Sequence, residues 1–228
     1  MSDYILSPSA VIALPVAGHS ARFPVRRVYC IGRNYAAHAR EMGHDPTREA
    51  PFFFQKNPDN LTFGADFPYP PESADVHHEV ELLVALGSGG AGIAAEAALT
   101  HVCGYGIALD MTRRDRQAEA KAAGRPWEIG KAFEHSAPCG PLHLVAAVGH
   151  PSAGRIALSV NGQARQSGDL AQMIWSVPEI IATLSRYFRL AAGDVILTGT
   201  PEGVGPVVRD DVMAASIAGL GMLSVRVV

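Results

Sequence analysis

The stretch HHEVELLVALG, residues 77–87, contains the apolar run that best defines the fold class. Val80–Leu86 has the length of a strand, is interrupted only by Glu81, and is followed by Gly87, which together predict a buried strand. Similar short runs recur between Gly and Pro residues. They predict further strands at Val28–Ile31, Gly104–Leu109, Arg155–Val160, Val195–Thr198 and Leu223–Val228. The sequence therefore predicts a sheet-rich core.

Helical patterns are fewer than strand patterns. They predict helices at Asn34–Met42, Ala94–Leu99, Thr112–Ala123 and Val177–Phe188. Asn34 is a residue type that can cap the first of these. Asn161-Gly162, directly after the strand predicted at residues 155–160, indicates a two-residue hairpin turn. We therefore expect an α+β fold in which β-structure dominates.

Composition limits the class of protein. Of the 228 residues, 48% are hydrophobic and 18% are charged, so one large core and one domain are expected. We treat residues 1–24 as an N-terminal arm and residues 25–228 as the domain. The formal net charge of −3 argues against a nucleic-acid partner. The sequence shows no signal peptide and no membrane-spanning run, and its three cysteines form no metal-binding pattern, so we expect a cytoplasmic protein.

Three carboxylates indicate a metal site. Glu79 and Glu81 are two residues apart in an extended segment, so their side chains are expected on the same face. Asp110 ends the predicted strand at residues 104–109. Two adjacent carboxylates repel unless a cation neutralises them, and three oxygen ligands without thiolates suit Mg²⁺ or Mn²⁺ better than zinc. The alternative is a solvated strand face. His77 and His78 are adjacent, point to opposite faces and cannot form a ligand pair.

A histidine and a carboxylate lie one helical turn apart after the first predicted strand. His38 and Glu41 are at positions i and i+3, where the carboxylate can orient the imidazole to accept a proton from water. The same spacing also occurs in ordinary surface pairs. The polar segment Gly43–Pro51 that follows has the character of a mobile cover over a site, or of an ordinary loop.

Seven segments spread over residues 25–228 resemble the fumarylacetoacetate hydrolase family. They are GRNYAAHAREMG, PFFFQK, HHEVELLVALG, GYGIALDMTRRDRQ, RPWEIGKAFEHSAPCGP, VNGQARQSGDLAQMIWSVPEIIATLS and GDVILTGTPEGVGPV. The resemblance implies a mixed β-sandwich roll with short peripheral helices, a homodimer, a carboxylate-held Mg²⁺ or Mn²⁺, and a lid over the substrate. MGHDPTREAPFFF and GKAFEHSAPCGP are most similar to bacterial members that hydrolyse fumarylpyruvate to fumarate and pyruvate in gentisate-type aromatic catabolism.

The resemblance also implies roles for individual residues. The metal ligands would be Glu79, Glu81 and Asp110. The catalytic residues would be His38 and Glu41, which activate water, and Lys131, which stabilises oxyanion charge. The substrate-binding candidates are Arg33, Arg113, Gln117 and Thr200. Thr200 and the glycine-rich turn around it are expected to hold the pyruvate carboxylate, whereas Arg113 and Gln117 have an alternative as solvated helix residues.

Two points stay open at the sequence level. Arg40, Arg48 and Arg114 are all candidates for contact with a distal substrate carboxylate. Lys56 is followed by Asn57-Pro58, whereas many relatives have Pro directly after this lysine, so the role of Lys56 is undefined.

Three other functions are compatible with parts of the pattern. The same metal site can serve an acylpyruvase or an oxaloacetate decarboxylase, or an isomerase or decarboxylase of hydroxylated dienedioates. A metal-binding scaffold without catalysis is the third, but it has no use for a His–Glu pair beside three carboxylates. The fold alone does not select the substrate among these.

Overall fold

A computed structural model describes residues 4–41 and 50–228, with only the backbone for residues 39–41. Its strands are β1 Ala13–Pro15, β2 Arg22–Pro24, β3 Arg27–Gly32, β4 Phe52–Lys56, β5 Leu61–Thr62, β6 Asp66–Phe67, β7 Val76–His78, β8 Val80–Leu86, β9 Val102–Leu109, β10 Thr112–Arg113, β11 Ala137–Pro138, β12 His143–Leu144, β13 Arg155–Val160, β14 Gln163–Asp169, β15 Asp194–Leu197, β16 Gly205–Val207, β17 Val212–Ile217 and β18 Gly221–Val227. The helices are short: α1 Ala36–Glu41, α2 Ala95–Ala98, α3 Arg114–Ala122, α4 Glu128–Lys131, α5 Val145–Val148 and α6 Val177–Tyr187. The predicted β-dominated α+β class is confirmed.

Two large sheets form the body of the protein. The six-stranded sheet has the order β12-β9-β8-β15-β3-β4, and its neighbours are antiparallel except for the parallel pair β15 and β3. The five-stranded sheet has the order β14-β13-β17-β18-β6, with β18 and β6 parallel. All seven residues of β8 are buried, because β8 lies inside its sheet and both of its faces are covered.

Alternate residues of the six-stranded sheet enter two separate hydrophobic clusters. Leu82 and Val84 belong to the cluster that also contains the inward-facing residues of the five-stranded sheet, which makes the two sheets a sandwich. Leu83 and Ala85 belong to the cluster on the opposite face. This division follows from the two-residue period of a strand.

The N-terminal segment packs on the second face of the six-stranded sheet. Leu14 is fully buried in the cluster that covers this face. Backbone hydrogen bonds join Ala17 N–H to Leu142 O at 2.9 Å and Leu142 N–H to Pro15 O at 2.8 Å. The predicted boundary at residue 24 stays a prediction, but residues 13–24 lie against the domain.

Several predicted elements agree with the structure. The strands at residues 80–86 and 155–160 have the predicted bounds. Asn161 and Gly162 both have positive φ, 52° and 76°, as the predicted two-residue hairpin requires. None of the helices within residues 4–41 and 50–228 is both long and apolar enough to cross a membrane.

Other predicted elements are corrected. The helix predicted at residues 112–123 begins only at Arg114, because Thr112 and Arg113 pair with β7 as strand β10. Asn34 does not cap α1. Its side-chain amide binds Trp175 and Thr198, anchoring the loop before α1 to the end of β15. The predicted end of that helix at Met42 lies outside the described residues.

Candidate metal centre and active site

Three buried carboxylates lie together where the six-stranded sheet meets a small three-stranded sheet of order β10-β7-β16. Glu79 lies between β7 and β8, which belong to different sheets, Glu81 is in β8, and Asp110 follows β9. The Asp110 N–H donates to Glu79 O at 2.8 Å, which fixes the two chain segments side by side. One ligand oxygen from each of the three residues lies within 4.8 Å of the other two.

Basic side chains surround this triad. Lys131 Nζ lies 2.9 Å from Glu79 Oε2 and 2.7 Å from Asp110 Oδ2. Lys56 Nζ lies 2.9 Å from Asp110 Oδ1. The guanidinium of Arg114 pairs with Glu79 Oε1. Glu81 forms no ion pair with any residue that the structure describes, and its Oε2 accepts the N–H of Gly199 at 2.7 Å.

These contacts give the three acidic groups different electrostatic environments. Burial raises the pKa of Glu81 well above its usual value, and the charges of Asp110 and Glu79 add to this effect. Burial acts in the same direction on Glu79, but Lys131 and Arg114 outweigh it and lower the pKa of Glu79. Asp110 and Glu79 likewise outweigh the burial of Lys131 and raise the pKa of its ammonium group.

The triad fits a hard divalent cation. All three donors are carboxylate oxygens, and the pKa of Glu81 is raised first by its burial and then by the negative charges of Asp110 and Glu79. Mg²⁺ and Mn²⁺ prefer such ligands and complete their coordination with water or substrate oxygens. Glu79, Glu81 and Asp110 are therefore the residues that could hold the ion.

The turn after β15 supports Glu81. Gly199 has φ +93°, and a Cβ there would lie 2.7 Å from the Cβ of Asn34, so both the backbone angle and the space favour glycine. Thr200 lines the pocket, but its hydroxyl donates to Val80 O at 2.8 Å and accepts from Gln166 at 2.7 Å. The Gly199 N–H and the Thr200 hydroxyl thus hold protein groups, which differs from the predicted binding of a substrate carboxylate.

A small open cavity lies beside Glu79 and Glu81. His38 is buried and lines this cavity together with Glu79, Glu81 and Lys131. The backbone of α1 is helical at residues 38 and 41, so these residues lie one turn apart as predicted. The side chains of Glu41 and Arg40 are not described, and Arg48 and residues 43–49 of the predicted cover lie outside the described residues.

One face of α3 lines the same cavity. Arg114, Gln117 and Lys121 follow the i, i+3, i+7 spacing of a single helix face, and all three are pocket residues. Arg113 is not. Its guanidinium carbon lies 4.4 Å from the centroid of the Phe133 ring, and its Nη1 donates to Ile129 O at 3.2 Å. The substrate contact predicted for Arg113 is thus not supported by its position, whereas Gln117 and Arg33 do line the cavity.

One face of β4 forms another wall. Phe52, Phe54 and Lys56 alternate along the strand, so their side chains point the same way. The two rings line the cavity, and the fully buried Lys56 reaches Asp110. Its ammonium group also donates to Ser136 Oγ at 3.0 Å and to the carbonyl of Lys131. Lys56, undefined at the sequence level, is therefore a positioning residue for Asp110 and for the loop that carries Lys131.

Removal of the Lys56 ammonium is expected to destabilise the protein strongly. A Lys56→Met variant leaves Asp110 and buried acceptors without their donor, which costs about 3–5 kcal/mol for a buried ion pair. In a chain of this size the loss corresponds to a fall in Tm of roughly 6–20 °C. Denaturant unfolding in chelator measures it. In an Asp110→Asn background the same substitution is expected to cost clearly less, and equal costs in both backgrounds would contradict the assignment.

The two adjacent histidines are held outside the metal centre, as their opposite directions predicted. His77 contacts Asp75 at 2.8 Å, and His78 Nδ1 lies 2.9 Å from Gln166 Oε1. Burial lowers the pKa of both rings. Both histidines therefore serve to hold the segment that carries Glu79.

Comparison with known proteins gives consistent matches. The family model described as fumarylacetoacetate (FAA) hydrolase C-terminal matches residues 27–228. The crystal structure of fumarylpyruvate hydrolase from Pseudomonas aeruginosa in complex with Mn²⁺ and pyruvate is 52% identical, with a TM-score of 0.98 over 99% of each chain. Fumarylpyruvate hydrolase from Ralstonia sp is 42% identical over 80% of this chain and 95% of its own.

A relative of different activity matches to a similar degree. The oxaloacetate tautomerase YcgM of Escherichia coli (strain K12) is 40% identical over 86% of this chain and 90% of its own. The three relatives therefore share one fold and differ in the reactions for which they are named. On the match of the family model and on these identities, this chain belongs to the fumarylacetoacetate hydrolase family.

Proposed function

We propose that this protein hydrolyses a carbon–carbon bond of an acylpyruvate, with fumarylpyruvate as substrate and fumarate and pyruvate as products. One observation carries the proposal: His38 and Lys131 line the same cavity as Glu79 and Glu81, two of the three clustered carboxylates. A base, an ammonium group and a site for a divalent cation are thus within reach of one small molecule. The fumarylpyruvate hydrolases among the relatives support the choice of acyl group.

Glu79, Glu81 and Asp110 would hold Mg²⁺ or Mn²⁺. A bound ion would supply Lewis-acid chemistry at the carboxylate and 2-oxo oxygens of an acylpyruvate and would lower the energy of the enolate that leaves as pyruvate. The presence of Mn²⁺ and pyruvate together in the Pseudomonas aeruginosa structure supports this orientation of the pyruvate end. The acyl group then lies toward His38, Lys131 and the rings of Phe52 and Phe54.

His38 would take a proton from water as the water oxygen adds to the C4 carbonyl, with Glu41 orienting the imidazole. Lys131 would stabilise the resulting oxyanion. Its ammonium group has three N–H donors, of which two are directed at Glu79 and Asp110, so one is left for the substrate. The C3–C4 bond then breaks, its electron pair passes to the pyruvate enolate, and protonation at C3 gives pyruvate.

The test is the loss of the near-ultraviolet enol absorbance of fumarylpyruvate, with the products identified as fumarate and pyruvate. Rapid loss with Mg²⁺ or Mn²⁺, abolished by excess chelator, supports the proposal. A Glu79→Ala variant is expected to raise the metal concentration for half-maximal rate by at least about 10–100-fold, the effect known for changes around metal ligands. Metal-independent turnover, or no turnover of fumarylpyruvate, contradicts it.

Oxaloacetate is a second candidate substrate, because a relative of similar identity is named an oxaloacetate tautomerase. Decarboxylation of oxaloacetate needs the same chelate and the same stabilised enolate, but no activated water. Isomerisation or decarboxylation of hydroxylated dienedioates is the other alternative in the family. Assay of all three substrate classes at saturating metal ranks them directly, and the highest kcat/KM identifies the substrate class.

The remaining context is part of the same proposal. We assign the proposed reaction to gentisate-type aromatic catabolism and the protein to the cytoplasm. A homodimer is the proposed assembly. The exposed apolar side chains Ile129, Tyr187, Val208 and Met222 are available for such contacts. Light scattering coupled to size exclusion measures the assembly, and a mass near the 24.1 kDa of one chain would contradict the dimer.

A further inference from the structure

A dicarboxylic acylpyruvate carries a second negative charge far from the metal, and the cations at the carboxylates are already engaged. Lys131 and Arg114 pair with Glu79, and Lys56 pairs with Asp110. These three groups are therefore directed at Glu79 and Asp110. A distal carboxylate therefore needs other cations in the same cavity, away from the triad.

Arg33 has the position that this requires. It is half-buried, it lines the cavity, and its guanidinium carbon lies 5.3 Å from the centroid of the Phe52 ring. Its guanidinium forms no hydrogen bond or ion pair with any residue that the structure describes. A cation beside an aromatic face retains its capacity to bind a carboxylate through two parallel hydrogen bonds.

Lys121 is the second cation on this side. It lies two turns along α3 from Arg114 and lines the cavity with Arg33. Burial lowers the pKa of Lys121, and the positive charges of Arg33 and Arg114 lower it further. The charges of Arg33 and Arg114 thus act on Lys121, and an anion bound on this side of the cavity would be attracted by Arg33 and Lys121 together.

The wall between the metal centre and Arg33 is aromatic. Lys131 Nζ lies 5.1 Å from the centroid of Phe54, and Arg33 lies over Phe52. The two ring centroids are 6.4 Å apart, and Trp127 packs against both at 5.1 and 5.9 Å. A planar trans four-carbon chain spans about 3.8 Å, as the four atoms across a trans peptide do. With the C4 carbonyl held at Lys131, beside the Phe54 ring, the far carboxylate of the acyl chain therefore lies toward the neighbouring Phe52 ring.

We propose that Arg33 and Lys121, with the aromatic wall Phe52, Phe54 and Trp127, form a subsite for the distal carboxylate of a planar, unsaturated acyl chain. The inference rests on the proposed acylpyruvate hydrolysis and names the groups that select a dicarboxylate over a neutral acyl group. Gly32 is part of the same arrangement. A Cβ there would lie 2.0 Å from the Phe52 ring, so glycine allows the ring that supports Arg33 to lie in this place.

The test compares fumarylpyruvate with acetylpyruvate, which has the same pyruvate end and a neutral methyl group. Arg33→Gln keeps a long polar side chain and removes the charge. It is expected to lower kcat/KM for fumarylpyruvate by about 10–100-fold, the usual value of a hydrogen bond to a charged group. The kcat/KM for acetylpyruvate is expected to stay close to wild type. Arg33→Lys, which restores the charge, is expected to recover part of the loss.

Arg116→Gln is the matched control. Arg116 is on α3 like Lys121 and carries the same charge, but it pairs with Glu119 on the solvent side. Its loss is expected to leave both substrates unaffected. Equal losses for both substrates in Arg33→Gln, or an equal effect of Arg116→Gln, overturn the subsite. Hydrolysis of acetylpyruvate but not fumarylpyruvate by the wild type overturns the subsite and the choice of fumarylpyruvate but keeps acylpyruvate hydrolysis, whereas hydrolysis of neither overturns acylpyruvate hydrolysis as well.

Discussion

A His38→Ala variant is expected to lose hydrolysis of fumarylpyruvate by about 10²–10⁴-fold in kcat at saturating metal, the usual contribution of a general base. His38 is buried in the wall of the cavity that contains the carboxylates and Lys131. No other histidine lines that cavity among the described residues. Metal-dependent decarboxylation of oxaloacetate, if the wild type shows it, is expected to remain close to wild type, because this reaction needs no activated water.

Comparison of fumarylpyruvate with oxaloacetate provides an internal control for the His38→Ala variant. Retained decarboxylation shows that the fold and the metal centre are intact, so the loss of hydrolysis belongs to the base. Parallel loss of both reactions assigns His38 a role in holding the substrate or the metal ion. A Glu41→Gln variant is expected to lose less hydrolysis than His38→Ala and likewise to keep decarboxylation, since Glu41 acts through the imidazole. Hydrolysis at the wild-type rate in His38→Ala contradicts the assignment outright.

The parts of the structure that the sequence predicted best depend on local information. The apolar run at residues 80–86 and the Asn161-Gly162 turn each specify one conformation within a few residues, and both were predicted correctly. The pairing of strands that are distant in sequence has no such signal. The antiparallel pairing of β15 with β8, which brings Gly199 to Glu81, joins residues at least 110 positions apart and was not predictable from the pattern.

The position of Arg113 outside the cavity has a similarly physical cause. Neighbouring residues on a helix differ in direction by about 100°, so a shift of one residue exchanges a pocket residue for one outside it. The helix was predicted to start at Thr112, whereas strand pairing with β7 delays it to Arg114. The spacing of Arg114, Gln117 and Lys121 was a usable signal for the correct face.

The role of Lys56 was not predicted, although part of the signal for it was present in the sequence. Asn57-Pro58 after this lysine left its role undefined, but β4 ends at Lys56 and alternation already places its side chain with Phe52 and Phe54. The contact with Asp110, 54 positions further along the chain, required the structure. The three-carboxylate motif was easier, because its members are separated by a single residue or lie at a strand end.

A Lys131→Met variant is expected to lower kcat for acylpyruvate hydrolysis by about 10³-fold, near the upper value for removal of one oxyanion donor. The ammonium group is buried against Glu79 and Asp110 and lines the cavity, so its third N–H is the charged donor placed for the C4 oxygen. The effect is expected in kcat and not in KM, because the oxyanion forms only during the reaction. Stopped-flow and steady-state assays at saturating metal measure both constants.

Metal affinity separates this catalytic role from a structural one. Removal of a positive charge beside Glu79 and Asp110 strengthens the attraction of the triad for a divalent cation, so Mn²⁺ is expected to bind Lys131→Met at least as tightly as wild type. A loss of activity that is explained by weaker metal binding would contradict the assignment. Lys131→Gln retains a neutral N–H donor and is expected to be more active than Lys131→Met. Equal activities of Lys131→Met and Lys131→Gln would show that the charge alone matters. A kcat within about tenfold of wild type for both variants would assign oxyanion stabilisation to another residue, since removal of one such donor costs more than tenfold.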